Sequence, residues 1–166
     1  YYAEVAARTD ASSRFGKDHR WGMFWSLGFM WNIKNEAFLK DIEWLTTAQI
    51  KLSTGTSGNS EIPYYDHLAL VSGNANYNDE AGIYPTQSGN EELSWEQTWA
   101  NNIGLTLGIF NRVNLNVDFY HKKTTNMLML VPQSYAITGV GNRWDNIGAM
   151  MNRGVEIAID GDVIRT

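Results

Sequence analysis

The chain has no cysteine, only three prolines and no long apolar run among its 166 residues. The absence of cysteine excludes a disulfide framework, a thiolate metal site and a cysteine nucleophile. Acidic residues outnumber basic ones, and the net charge of −5 argues against binding to a nucleic-acid backbone. No segment approaches the roughly 18 consecutive apolar residues of a membrane-spanning helix. Membrane strands are not excluded, because their alternating residues average out in a hydropathy count.

Aromatic residues are abundant, with seven Trp and eight Tyr, and two neighbouring stretches alternate in character. Within 99–109 and 113–120 the odd positions are mostly large and apolar, whereas the even positions are small or polar. The large odd residues are Trp99, Ile103, Leu105, Leu107, Ile109, Val113, Leu115, Val117 and Phe119. A period of two is typical of β-strands with one apolar and one polar face.

The whole chain predicts an all-β fold, an antiparallel meander of about six strands with one short helix near Asn35–Leu45. The predicted strands are Tyr2–Thr9, Trp21–Ile33, Thr47–Thr54, Trp99–Ile109, Val113–Lys122 and Asn146–Asp160. Long connections, Gly55–Glu96 and Thr124–Trp144, follow the third and fifth strands, but the connection after the fourth is tiny. Long loops at one end and short turns at the other are typical of outer-membrane barrels.

The connection between the fourth and fifth predicted strands specifies a register. A two-residue loop would place the apolar residues of the two strands on opposite faces of the sheet. A three-residue turn over Phe110–Arg112 pairs Ile109 with Val113 and brings both apolar sets to one face. We therefore expect the three-residue turn or a bulged equivalent.

The spacing of tryptophans suggests which solvent the apolar face meets. Trp21 and Trp31 lie ten residues apart on one face of a strand, which is roughly 33 Å along it. With a tilt near 40° this gives a rise of about 25 Å, the height of the apolar band of an outer-membrane barrel. Trp21, Trp31 and Trp99 are therefore predicted to form membrane girdles. The alternative is a soluble β-sandwich with the same residues in its core.

The polar face carries residues that are unsuited to a protein core. We predict that six of them line a hydrated lumen: Asn102, Asn114, Asn116, Asp118, Glu156 and Asp160. Two of the three carboxylates, Asp118, Glu156 and Asp160, could instead form a catalytic pair, but they alternate with apolar residues on separate strands, which favours lining. Because no nucleophile or phosphate-binding motif occurs, we predict neither an enzyme nor a cofactor.

A metal site is not predicted either. Asn74, Asn76, Asn78 and Glu80 alternate like calcium ligands, but the glycine that a calcium loop needs is missing. The three histidines stand far apart in the sequence, at His19, His67 and His121.

Four segments together resemble the SusC/RagA family of TonB-dependent outer-membrane transporters. They are residues 8–22 (RTDASSRFGKDHRWG), 90–96 (NEELSWE), 117–128 (VDFYHKKTTNML) and 146–156 (NIGAMMNRGVE). Each motif alone is weak, but four in the family's order, covering nearly the whole chain, form a specific signal. The resemblance implies a large outer-membrane barrel of about 22 strands, closed by a plug that this chain does not contain.

The resemblance also implies a function and partners. Members import glycans or peptides across the outer membrane of Gram-negative, Bacteroidetes-like bacteria, together with a SusD-like surface lipoprotein and with energy from the TonB complex. Because the chain starts at Tyr1 inside a predicted strand and has no signal peptide, we expect residues 1–166 to be one segment of a longer barrel. The alternative is a soluble, aromatic-rich β-domain that binds carbohydrate through its long loops.

Loops of such transporters help to enclose the substrate. Tyr64, Tyr65, Tyr77 and Tyr84 lie in the first long connection and are candidates for contact with substrate, since aromatic rings stack on sugars. The alternative is that these rings pack the loop against itself. Trp95 is expected to be structural, because it lies inside one of the family-like motifs.

Overall fold

The computed structural model describes residues 1–162, except for the side chain of Tyr77. Ten strands and two single-turn helices follow one another along these residues. The strands are β1 (Tyr2–Ala11), β2 (Trp21–Asn32), β3 (Leu45–Asn59), β4 (Leu70–Tyr77), β5 (Glu80–Gln87), β6 (Glu96–Ile109), β7 (Val113–Thr125), β8 (Leu128–Pro132), β9 (Asn142–Asn146) and β10 (Ala149–Gly161). The helices are α1 (Ala37–Lys40) and α2 (Tyr135–Thr138). Among the described residues, no helix is long and apolar enough to cross a lipid bilayer.

Six strands form one antiparallel sheet in the order β1–β2–β3–β6–β7–β10. This confirms the predicted meander, because each strand pairs with the next strand of the sheet along the chain. The sheet is open in this chain, with β1 and β10 at its two edges. Most predicted strand bounds are close to the observed ones. The main difference is β3, which runs on to Asn59 because its last residues pair with the start of β6.

The two long connections contain strands that the sequence patterns do not predict. β4 pairs with β5, and β8 pairs with β9, so that each connection forms a hairpin of its own. Asn78 and Asp79 join β4 to β5 with φ angles of 55° and 64°, as the tight turn of a two-residue hairpin requires. The predicted sixth strand starts three residues too early: Asn146 ends β9, and Gly148, with φ 83°, separates it from β10.

The turn between β6 and β7 has the predicted register. Ile109 pairs with Val113, and the ladder continues through the opposed residues Ile103 and Phe119. Phe110 and Asn111 both have positive φ angles, 55° and 54°, and the Arg112 amide donates to the Ile109 carbonyl at 3.0 Å. The apolar residues of the two strands therefore share one face, as expected.

Connections of different length leave the two ends of the sheet. Residues 12–20, 60–95 and 126–148 connect strands at one end, which we call the loop end. Residues 33–44 and 110–112 connect strands at the other end, the turn end. The helix predicted near Asn35–Leu45 is present at the turn end as a 3-10 turn, Ile33–Asn35, followed by α1.

Buried residues are few, and most of them lie at the loop end. Phe15, Ile62 and Leu93 form the buried cluster there, and Phe24 near the start of β2 is also buried. None of the large odd-numbered residues of β2, β6, β7 and β10 is buried, and exposure reaches 71% for Trp21 and 65% for Ile157. No second sheet covers them among the described residues, which argues against the sandwich core.

Candidate functional site

The even-numbered residues of β6, β7 and β10 form a polar surface, which we call the inner face. The six predicted lining residues all lie on it, as the register shows, and they are Asn102, Asn114, Asn116, Asp118, Glu156 and Asp160. The odd-numbered residues of the same strands point the other way and form the outer face. The inner face is thus a continuous wall that can hold water or a polar ligand.

Cross-strand hydrogen bonds connect the polar side chains of the inner face. The Thr106 hydroxyl donates to Asn116 Oδ1 at 2.9 Å, and Asn114 Nδ2 donates to Asp160 Oδ2 at 2.9 Å. A longer bond of 3.4 Å joins Asn102 Nδ2 to Asp118 Oδ1. Such pairs satisfy side chains that would otherwise compete for water, and they hold the wall in a defined shape.

A shallow depression lies at the centre of the inner face. Asp118 pairs directly with Glu156 across β7 and β10, and Gly104 is opposite Asp118 on β6. A Cβ atom on Gly104 would lie only 2.6 Å from Asp118 Oδ1, so the glycine leaves room for the carboxylate. The lining is mixed in charge: Asn102, Asp118, Tyr120, Lys122, Asn152 and Glu156. This arrangement can hydrogen-bond a polar ligand, but it contains no serine or histidine beside the carboxylates.

Trp95 packs the loop end onto the sheet. Its ring lies 5.6 Å from Phe15 and 5.4 Å from Phe24, centroid to centroid, and its Nε1 donates to the Arg20 carbonyl at 3.0 Å. A Cβ atom on Gly58 would come within 2.1 Å of the Phe24 ring, so glycine is required beneath these rings. The geometry agrees with the structural role expected for Trp95.

Asparagines tie the loops to one another. The Ser94 amide donates to Asn146 Oδ1 at 2.8 Å, and Asn146 Nδ2 donates in turn to the carbonyls of Ser94 and Asn126, both at 2.9 Å. Asn90 Nδ2 donates to the Trp144 carbonyl at 3.0 Å and also to the Asp145 carboxylate. These bonds fix β9 of the hairpin β8–β9 to residues 90–94, the segment that leads into β6.

The described side chains of the loop tyrosines are exposed. Tyr64 and Tyr65 are each 65% exposed, with ring centroids 6.5 Å apart, and Tyr84 on β5 is 46% exposed. The Arg14 guanidinium lies over the Tyr64 ring, 4.8 Å from its centroid. Tyr77 ends β4, and its side chain lies outside the description. The rings of Tyr64, Tyr65 and Tyr84 are therefore open to the surroundings, and the Tyr64 ring also packs on Arg14 within the loop end.

One histidine of the loop end is buried beside a carboxyl group. His67 is buried, and its Nδ1 has no hydrogen-bond partner among the described residues. Burial also raises the pKa of the neighbouring Asp66 carboxyl.

Within residues 1–162, no group of three or more His, Cys, Asp and Glu side chains is arranged to hold a metal ion.

The predicted girdle tryptophans lie on the outer face at different heights. Trp21 is near the loop end and Trp31 near the turn end of β2. Trp31 stacks on Tyr1 at 6.0 Å between centroids, and both side chains donate to Glu36 Oε1, at 2.9 Å and 2.8 Å. These two hydrogen bonds, that from Trp31 first, hold the pKa of Glu36 below its usual value. Trp99 Nε1 donates to the Thr54 hydroxyl at 3.0 Å.

The loop-end limit of the apolar outer face differs between strands. On β2 the last large apolar residue is Trp21, which lies six residues beyond Leu27. The register row of Leu27 runs through Thr54, Asn101 and His121 to Arg153. On β7 the last large apolar residue is Phe119, two residues short of that row, and on β10 it is Met151, two residues beyond it. The limit on β2 therefore lies farther towards the loop end than the limits on β7 and β10.

The turn-end limit shifts in the same direction, from Trp31 on β2 to Val113 on β7, whose register row lies four residues beyond that of Trp31. Both limits of the apolar outer face therefore move towards the turn end between β2 and β7, as expected for strands that cross an apolar band at a tilt.

Sequence reasoning misses several exposed residues. Trp44 and Phe110 form an exposed aromatic pair at the turn end, with centroids 6.5 Å apart. Trp44 lies in the predicted helix and Phe110 in the predicted turn, where a period of two does not apply. The basic residues His121, Lys123 and Arg153 lie on the outer face. Their odd positions indicate that face, but a search for apolar residues alone overlooks them.

Comparison with known proteins gives consistent matches. The family model "TonB dependent receptor-like, beta-barrel" matches residues 2–164. A TonB-dependent receptor of Formosa agariphila is 36% identical over 166 residues, covering 99% of this chain and 16% of the relative. TonB-dependent receptor SusC of Bacteroides thetaiotaomicron is 36% identical over 178 residues, covering 100% of this chain and 17% of SusC.

A solved structure extends the comparison to the fold. The RagAB peptide importer in its closed-closed state superposes with a TM-score of 0.90 at 40% sequence identity, covering 99% of this chain and 18% of that chain. The chain therefore spans about a sixth of the length of the curated relatives, 16% and 17% of the two proteins above. On this agreement of sequence, register and fold, the chain belongs to the TonB-dependent receptor β-barrel family and is similar to its SusC and RagA members.

Proposed function

We propose that this chain forms part of the wall of an outer-membrane barrel that imports a nutrient. Its outer face meets lipid, and its inner face meets a hydrated lumen. The observation that carries the proposal is the exposed apolar outer face, which no second sheet covers among the described residues and whose two limits move in the same direction from β2 to β7. A soluble domain would bury an apolar face of this size.

The site residues take their roles from this orientation. Trp21 and Trp99 form the girdle on the loop side, and Trp31 forms the girdle on the turn side, since indole rings favour the membrane–water interface. The six polar residues described above line the lumen. The loop end faces outward from the cell, because long loops of outer-membrane barrels are extracellular and short turns are periplasmic. Tyr64, Tyr65, Tyr77 and Tyr84 belong to that extracellular end and contact the substrate.

The complete transporter works with partners that this chain does not include. We propose a SusD-like surface lipoprotein at the loop end and the TonB complex as energy source. Peptides are the first candidate substrate, because RagAB, a peptide importer, superposes at 40% identity. Glycans are the second candidate, favoured by the exposed Tyr64–Tyr65 pair. The location that follows is the outer membrane of a Bacteroidetes-like bacterium.

A matched pair of variants tests the two faces in the full-length protein. Asn102 on the inner face and Ile103 on the outer face are neighbours on β6. Asn102→Trp adds bulk inside the lumen beside Tyr120, whereas Ile103→Trp adds the same residue on the lipid side. Uptake of a defined peptide mixture and of oligosaccharides is measured in a host whose own copy is deleted. We expect Asn102→Trp to lower uptake severalfold and Ile103→Trp to leave it nearly unchanged.

The outcomes separate the candidates. Equal uptake by both variants, at equal amounts of protein in the outer membrane, would contradict the proposed lumen face. Uptake of oligosaccharides but not peptides would select glycans as the substrate. If the protein were instead a soluble carbohydrate-binding domain, the wild-type protein would partition into the aqueous fraction without detergent and bind glycan there.

A further inference from the structure

The outer face carries three basic side chains close together at the loop end. His121 and Lys123 alternate on β7, and Arg153 is the register partner of His121 on β10. Paired Cα atoms of adjacent strands lie about 5 Å apart, and residues i and i+2 of one strand about 7 Å apart. The three groups can therefore reach one ligand. Among the described residues, none of the three forms an ion pair.

Acidic residues are excluded from the same face. Within the described part of the six-stranded sheet, every Asp and Glu lies on the inner face, namely Glu4, Asp10, Glu96, Asp118, Glu156 and Asp160. The inner face also has basic residues, such as Lys51 and Lys122, so that its charges are mixed. The outer face is purely basic where it is charged. Its positive potential is therefore not neutralised locally.

The basic patch lies at the loop-end limit of the apolar band. Phe119 on β7 and Val155 on β10 are exposed and apolar. His121 and Arg153 lie two residues nearer the loop end on the same face of these strands. Charged residues within the band would be costly, but at its limit Lys and Arg reach the headgroup region. This position is where the phosphates of the membrane surface lie.

A groove beside Lys123 offers apolar contact. Trp25 and Trp99 line it together with Thr56, Gln97, Lys123 and Thr125. The Trp99 indole is held in place by its hydrogen bond to Thr54, so one wall of the groove is fixed. Indole rings pack against the upper parts of acyl chains, and Lys123 at the rim is placed for an anionic headgroup.

We propose that His121, Lys123 and Arg153 form a site for the phosphate of an anionic glycolipid of the outer leaflet, of the lipid A type. The proposal rests on the loop end facing outward, as proposed above. Lys123 and Arg153 supply charge-assisted hydrogen bonds to the phosphate oxygens, and His121 donates a ring N–H between them. The Trp25–Trp99 groove holds an acyl chain next to the phosphate. The site anchors the barrel at a fixed height in the leaflet.

The test measures lipid binding to the full-length protein purified in a neutral detergent. Native mass spectrometry compares bis-phosphorylated lipid A with the same lipid after removal of its phosphates. A triple variant carries His121→Gln, Lys123→Gln and Arg153→Gln. The matched control carries Arg8→Gln and Lys51→Gln, which remove two basic residues from the inner face, on β1 and β3. Inorganic phosphate in excess serves as a competitor.

We expect the triple variant to lose at least about tenfold in affinity for phosphorylated lipid A, since each basic group near a membrane surface contributes about fivefold. The inner-face control should bind phosphorylated lipid A like the wild type. A double variant that keeps the charge, Lys123→Arg with Arg153→Lys, should stay within about twofold of the wild-type affinity. Equal binding of the dephosphorylated lipid, an equal loss in the inner-face control, or full displacement by inorganic phosphate would overturn the proposal.

The outcome is separable from that of the proposed function. Wild-type protein that binds lipid A but imports neither peptides nor oligosaccharides would contradict the transport function and leave the lipid site standing. Import by a protein that binds both lipids equally would contradict the lipid site alone.

Discussion

The outer and inner faces of the sheet are built from alternate residues of the same strands, yet they differ in the number, sign and position of their charged side chains. On the inner face, acidic and basic residues are mixed and cross-strand hydrogen bonds connect neighbours, such as Thr106 with Asn116 and Asn114 with Asp160. On the outer face, apolar residues fill the middle, and the charged ones are basic and stand at one limit. Backbone and register are identical for the two faces, so the difference lies in the side chains alone, as the proposed contact with lipid on one face and water on the other requires.

The largest expected effect is a charge placed in the middle of the outer face. Val117→Arg should destabilise the full-length barrel by about 2–4 kcal/mol, the cost of an arginine near the bilayer midplane. Its neighbour Asn116→Arg, on the inner face, should cost about 1 kcal/mol, mainly through the lost bond to Thr106. Reversible unfolding in lipid vesicles measures both. Equal costs for the two variants would remove the distinction between the faces.

Covered and open parts of the sheet differ in their tolerance of added atoms. Gly58→Ala should cost about 1–3 kcal/mol, because the new Cβ would lie 2.1 Å from the ring of buried Phe24. Gly28→Ala is the control, since its Cβ would meet only Glu4 Cβ at 3.7 Å. The unfolding midpoints of the two variants in the same vesicles give the comparison. A stable Gly58→Ala protein would show that the loops do not pack tightly on the sheet.

Hydrogen bonding on the inner face should appear as coupling between strands. In a double-mutant cycle of Thr106→Ala and Asn116→Ala, we expect a coupling free energy of about 0.5–1.5 kcal/mol, the range for one such bond. Thr106→Ala combined with Thr124→Ala serves as control, because Thr124 bonds to Thr98 instead, and its effects should add. A coupling within error of zero for the first pair would mean that water satisfies these groups equally well.

The smallest expected effect concerns the polar anchor of an outer-face tryptophan. Hydrogen bonds from Trp31 and Tyr1 lower the pKa of Glu36 below 4.5, so the folded state favours the ionised carboxylate. The stabilisation is present above about pH 4.5 and is lost as the pH falls through the lowered pKa of the folded state. Glu36→Gln should therefore lower Tm at neutral pH, and the difference from the wild type should vanish in acid.

Measurement of Tm for both proteins across the acidic range checks this sign. A difference that stays constant with pH would mean that Glu36 acts through packing and not through its charge.

How much of the structure can be predicted from the sequence depends on the length of the alternating pattern. The long strands are predictable, because alternation over ten or more residues specifies both the strand and its face, and the odd-length turn at Phe110–Arg112 followed from matching two faces. The hairpin β4–β5 was missed because its short strands carry few apolar residues and Asn78–Asp79 lacks the glycine that usually marks such turns.

The candidate site shows the same division. The shared face of the six polar residues was predictable from the parity of residue numbers along β6, β7 and β10. The basic patch was not, because it depends on a register that joins β7 to β10 across the connection 126–148. Pairs of residues that are far apart in the sequence cannot be identified without that register. His121 and Arg153 are paired across β7 and β10, but the chain between them forms a separate hairpin.

A scan of single cysteines along residues 113–120 of the full-length protein in vesicles tests the central claim most directly. The segment has no cysteine of its own, and each introduced cysteine carries a nitroxide spin label. We predict a period of two, in which labels at Val113, Leu115, Val117 and Phe119 collide mainly with dissolved oxygen, and labels at the even positions collide mainly with a water-soluble nickel chelate. The same collision pattern at odd and even positions would contradict a wall with lipid on one side and water on the other.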